Sequence, residues 1–190
     1  MRLRAVVLAL VAALPAAAEE APGFRIDYAR LFAEHAGEVL RPAPDLEVLE
    51  LPGPVIVRRR PGGIVGTDQS AWGAAGCALT MLVQTAQVVQ ACPDRFSDRE
   101  RSGIDAQLAR AADFFARNTV PRMTPGQRDA ALHHALSDMT EAAGPRFRAI
   151  CADPESAFVA FARHIANEEG QRRMTQVFET PRLPVMTPCL

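Results

Sequence analysis

Four cysteines, at positions 77, 92, 151 and 189, constrain this 190-residue chain more than any other feature. Whether they are staples, metal ligands or reactive thiols depends first on the compartment, and the N-terminus speaks to that. Residues 1–18 carry Arg2 and Arg4, the apolar run Ala5–Ala13, then Pro15 and three alanines ahead of Glu19-Glu20. This is the layout of a secretory signal peptide cleaved near Ala18. The apolar run falls short of the ~20 residues that a membrane-spanning helix needs. No cysteine follows the cleavage point to take a lipid, and no later stretch is long and apolar enough to span a bilayer. The expected protein is periplasmic or secreted, with no transmembrane segment after cleavage.

The length suits one domain, and 48% hydrophobic residues suffice for a core. The formal charge is −1, and loss of Arg2 and Arg4 with residues 1–18 moves it to −3. A nucleic-acid partner calls for a clearly basic chain or face, so that class is disfavoured. Every basic residue is Arg rather than Lys, a pattern typical of a GC-rich bacterial genome.

Apolar groups at Phe24, Tyr28, Leu31/Phe32 and His35 share one helical face and predict a helix to about Ala36, ended by Pro42 and Pro44. Leu46–Leu51 and Val55–Arg60, joined by Pro52-Gly53-Pro54, predict a β-hairpin. Such a hairpin is marginal alone and must pack on helices. Arg58-Arg59-Arg60 reads as a charged strand edge that blocks aggregation, with anion binding as the alternative. Gly62, Gly63 and Gly66 are expected to form a loop into a first long helix over 68–91, with the stripe Leu79, Leu82, Val83, Ala86 and Val89. Gly73, Ala74, Gly76 and Cys77 leave its start nearly bare, which permits a close crossing by another element. Trp72, the only tryptophan, reads as a lid over that end, with a ligand anchor as the alternative.

Ser97-Asp98-Arg99-Glu100 is a capping box that opens a second helix with the stripe Ile104, Leu108, Ala111 and Phe115. Thr124-Pro125-Gly126-Gln127 opens a third, striped by Leu132, Leu136, Met139 and Ala143 and ended by Gly144-Pro145. Asp153-Pro154-Glu155 opens a fourth that buries Phe158, Phe161, Ala162 and Ile165 and breaks near Gly170. An extended, proline-rich tail then runs to Cys189. Short loops make neighbouring helices antiparallel. The expected fold is mainly α: an up-down-up-down four-helix bundle with an N-terminal helix, a small β-hairpin and two disulfides. The expected organisation is a signal peptide (1–18), an N-terminal helix and hairpin segment packed on the bundle (19–66), and a disulfide-stapled helical bundle (67–190).

That topology chooses among the three possible cysteine pairings. Cys77 and Cys92 lie fifteen residues apart on one helix, about 22 Å at 1.5 Å per residue, whereas a disulfide needs Cα atoms within about 7 Å. Cys92 and Cys151 fall at one end of the bundle, and Cys77 and Cys189 at the other. The expected disulfides are therefore Cys92–Cys151 and Cys77–Cys189. No Cys-x-x-Cys or thioredoxin-like alternation supports a redox-active pair.

Candidate chemistry is sparse. His134 and Asp138 on the third helix, and His164 and Glu168 on the fourth, are each spaced i, i+4 and so share a helical face. Two such faces meeting would offer four donors to a zinc-type metal. The solvated-pair reading competes with it, since His134 lies off the apolar stripe. No Gly-x-Ser-x-Gly, Gly-x-Gly-x-x-Gly, phosphate-loop or His-Glu-x-x-His motif occurs. The expectation is thus a small exported helical protein that binds an envelope protein partner or a small apolar ligand, with no cofactor and no catalytic residues assigned. The alternative is a metal-binding protein or metal-dependent enzyme using His134, Asp138, His164 and Glu168.

Overall fold

The computed structural model describes residues 23–189, and the side chains of 138–148 also lie outside that description. The proposed signal peptide, residues 1–18, falls outside it too. The described chain is a mixed α/β protein. A short helix α1 (Tyr28–Glu34) leads into four strands, β1 (Leu40–Ala43), β2 (Leu46–Leu51), β3 (Val55–Arg60) and β4 (Gly63–Asp68). These form an antiparallel sheet in the order β1-β2-β3-β4. Five helices follow: α2 (Ala75–Ala91), α3 (Asp98–Asn118), α4 (Pro125–Ala152), α5 (Ala157–Ala166) and α6 (Glu168–Val177), with a 3-10 turn at Pro93–Arg95.

The mainly α bundle with a hairpin is therefore corrected at the sheet. The hairpin strands β2 and β3 stand where the alternation put them, but each gains an outer neighbour. Pro42, expected only to end a helix, sits in β1, an edge strand that tolerates a residue with no N–H to donate. Of the expected glycine loop only Gly62 lies in a turn, while Gly63 and Gly66 belong to β4. Its Gly66 is demanded by tertiary packing, since a Cβ there would lie 2.3 Å from Cγ1 of Val185 in the C-terminal tail. Helix α2 begins at Ala75 rather than near residue 68, because Asp68 still belongs to the sheet.

The capping boxes at Ser97 and Thr124 are formed as the sequence implies, with Glu100 and Gln127 closing them. Ile104, Leu108, Ala111 and Phe115 are all buried. Helix α4 continues through Gly144-Pro145 to Ala152. The expected fourth helix is two. Ser156 caps α5, and Asn167 both ends α5 and caps α6 by accepting the Gly170 N–H at 2.8 Å. Gly170 is where α6 turns against α5, and a Cβ would meet the His164 carbonyl at 2.3 Å.

Two apolar clusters result. One lies among the helices, around Leu82, Ile104, Phe115, Ala162 and Val177. The other lies on the sheet's inner face, where Leu49, Val55 and Val57 meet Leu31 and Phe32 of α1 and Leu183 and Val185 of the tail. Phe24, expected inside the first helix, precedes it and packs edge-on against Phe115, with ring centroids 5.2 Å apart.

The tail joins the two clusters. Residues 181–189 run extended between β4 and α2, and Thr187 pairs in parallel with Thr67. Helix α2 is the long helix whose start has no side-chain cap. Backbone N–H groups in a first turn need acceptors from elsewhere, and the tail supplies them: Gly76 donates to the Val185 carbonyl at 2.9 Å and Ala74 to that of Pro188 at 3.1 Å. The bare residues at the start of α2 exist for this crossing. The tail also carries Arg182, buried with Asp68 at the end of β4, their Nε–Oδ2 distance being 2.5 Å. Cys77, in the first turn of α2, is joined to Cys189, and Cys92, its C-cap, to Cys151 in the last turn of α4, with Cα separations of 5.4 and 5.3 Å.

Candidate functional site

Where the start of α2 faces α5 and α6, a cleft of about 130 Å³ remains. Its floor is apolar and comes from three helices: Met81 of α2, Ile165 of α5, and Met174 and Val177 of α6. The small residues Gly73, Ala74 and Gly170 keep its walls low, and the Cys77–Cys189 disulfide fixes one side. The rim is different in kind. Trp72 and Phe161 stand on it 44% and 41% exposed. His164 and Arg173 complete it.

Local sequence explains the arrangement. Trp72 sits in the turn between β4 and α2, held by the Asp68 carboxylate, whose Oδ1 accepts the Ser70 N–H at 2.8 Å. Phe161 and His164 are neighbours at i, i+3 on α5, and the Asn167 turn folds α6 back so that Arg173 and Met174 face the same opening. Phe158, one turn before Phe161, is 51% exposed. Both phenylalanines were expected to be buried. The break at Asn167 lets α6 supply Met174 and Val177 to the core instead, leaving the aromatics of α5 outside.

The metal candidates fare differently. His164 is brought to the cleft, while Glu168 belongs to α6 rather than to a common helix with it, so their i, i+4 face does not form. His134 is half-buried on α4 and does not line the cleft, and the side chain of Asp138 lies outside the described residues. Among the described residues no group of three or more His, Cys, Asp or Glu is placed to hold a metal ion. Met81, Phe161, Arg173 and Met174 were the site residues that sequence reasoning missed. The bare start of α2 and the lone tryptophan beside it were the only local signals.

Chemically the cleft offers van der Waals surface, two aromatic faces, an imidazole and a guanidinium. Its lining contains no carboxylate or hydroxyl side chain. A second, shallower groove of about 740 Å³ runs between α1, the β2–β3 turn and the end of α3. It is more polar, and three of its four arginines, Arg30, Arg117 and Arg182, are paired with Glu34, Asp113 and Asp68. The two disulfides fit an oxidising, exported compartment, and among the described residues no helix is long and apolar enough to cross a membrane. No family model matches the chain, and no curated protein or solved structure matches it either.

Proposed function

We propose that this is an exported, periplasmic protein that acts by binding, and that the cleft between α2, α5 and α6 receives a small apolar ligand. The observation that carries this reading is the apolar floor opening between two exposed aromatic side chains, Trp72 and Phe161. A concave apolar site with a few polar groups at its mouth is the usual form of a small-molecule site. The size matters: apolar cavities of about 150 Å³ hold one benzene ring, so a cleft of about 130 Å³ suits a single ring or short chain. Trp72, the only tryptophan, makes the test direct. Toluene added to the purified, oxidised protein should change its emission saturably and raise the unfolding temperature. Ala78→Leu, which narrows the cleft, should abolish both effects. A linear, unsaturable response equal in parent and variant would refute the reading.

A second reading, docking of an envelope protein partner, is favoured by Phe158 lying one turn from Phe161 on the same helix. Exposed aromatics of this kind anchor protein interfaces. It predicts that Phe158→Ser abolishes partner capture while leaving toluene binding intact.

A further inference from the structure

We infer that the ligand of this cleft is a small apolar carboxylate, its apolar body lying on Met81 and Met174 and its anionic group held at the rim by Arg173 and His164. The inference rests on the cleft being a ligand site and adds the charge of what it takes.

Arg173 differs from several arginines elsewhere on the molecule that are ion-paired. Arg30, Arg59, Arg117, Arg128 and Arg182 each pair with a carboxylate. Next to Arg173, Arg172 reaches Glu168 at 3.8 Å. Arg173 makes no ion pair among the described residues, although Glu169 lies one turn before it on α6. An exposed arginine with no carboxylate is common on a surface. One at the mouth of an apolar cleft whose lining also holds an imidazole and no acidic group is placed to receive an anion. His164 adds a second nitrogen donor on the same rim.

The floor specifies the other half of the molecule. Met81 and Met174 present polarizable sulfurs, which make favourable contacts with aromatic rings. Trp72 and Phe161 flank the opening, and the volume admits one ring or a chain of similar bulk. An apolar body inside and a charge at the lip fixes the orientation of the ligand. An uncharged hydrocarbon would use only the floor, and a polar anion such as phosphate only the rim.

The probes are phenylacetate and its uncharged isostere phenylacetamide, titrated against the emission of Trp72 in the purified, oxidised protein. Phenylacetate is expected to bind up to about fivefold more tightly than the amide, the scale of one exposed charge pair. Arg173→Gln is expected to weaken that preference and Arg173→Gln/His164→Gln to remove it, the ratio of acid to amide affinity being the readout. Arg173 is exposed, so the single variant should fold, and an unchanged unfolding temperature confirms folding in both variants. Equal affinities for acid and amide in the parent, or a preference that survives Arg173→Gln/His164→Gln, would overturn the carboxylate inference and leave the cleft as an apolar site. Saturable binding of neither probe would overturn the cleft reading itself.

Discussion

Replacing Arg182 by methionine should destabilise this protein about as much as the loss of a large buried apolar side chain. The guanidinium is 1% exposed and its partner carboxylate on Asp68 is fully buried. Nε donates to Asp68 Oδ2 at 2.5 Å, Nη1 to the carbonyls of Val177 and Thr180 at 2.8 and 3.0 Å, and Nη2 to that of Gly73 at 3.1 Å. One side chain thus ties the end of β4, the turn before α2, the end of α6 and the tail. Methionine keeps the apolar stem but leaves a buried carboxylate with the Ser70 N–H as its remaining donor. Removing one partner of a buried pair costs about 3–5 kcal/mol, against a whole-domain stability of about 5–15 kcal/mol. With a urea slope of about 2 kcal/mol per molar, the unfolding midpoint of the oxidised protein should fall by about 2 M. The double variant Asp68→Leu/Arg182→Met removes both charges and should recover part of that loss, since apolar replacement of a buried pair is often nearly neutral. A fall below about 0.5 M for the single variant, or a double variant less stable than the additive sum of the two singles, would refute the claim that the pair seals sheet to helices.

The two disulfides should differ in worth with the loops they close, 112 and 59 residues. Cys77→Ala/Cys189→Ala is expected to cost about 5 kcal/mol and Cys92→Ala/Cys151→Ala about 4 kcal/mol in the chain-entropy model. Urea midpoints check the order, and limited proteolysis should find the tail newly cleavable only in the first. Gly76→Ala should cost about 2 kcal/mol, or about 6 °C in unfolding temperature, because its Cβ would lie 2.5 Å from the Pro184 carbonyl. Gly62→Ala, with open space around it, should change little. The Glu100 carboxyl is held below its ordinary range by the Ser97 backbone N–H and hydroxyl, both at 2.7 Å. Its stabilising contribution is complete above the unfolded carboxylate value of about 4.3 and is lost as pH falls through the lower folded value. The acid-side slope of the urea midpoint should therefore flatten in Glu100→Gln; an unchanged slope would contradict it.

Much of the helical half was legible because its signals are local. A capping box is read within four residues, and the stripe of α3 follows from spacing alone, so Ser97, Thr124 and the Ile104–Phe115 face needed no tertiary information. The hairpin strands were legible for the same reason, through alternation and a proline-glycine turn. The pairing of the sulfurs, too, needed only the length of one helix and the order of the others. It holds in the structure although the bundle that suggested it does not.

The rest was decided by contacts distant in sequence. Gly66 gives no strand signal until Val185 lies against it, and Pro42 none until β2 offers an edge. Asn167 is one polar residue in an apolar-striped run until Gly170 and the His164 carbonyl require a turn there. The cleft follows from that turn, because folding α6 back both exposes Phe161 and brings Arg173 beside it. By itself, then, the sequence determined the capping boxes, the stripe of α3, one hairpin and the cysteine pairs, all of which rest on short-range geometry. Only the tertiary structure decided the four-stranded sheet, the buried tail with Arg182 on Asp68, and the cleft, because each is made by chain segments that acquire meaning from what packs against them.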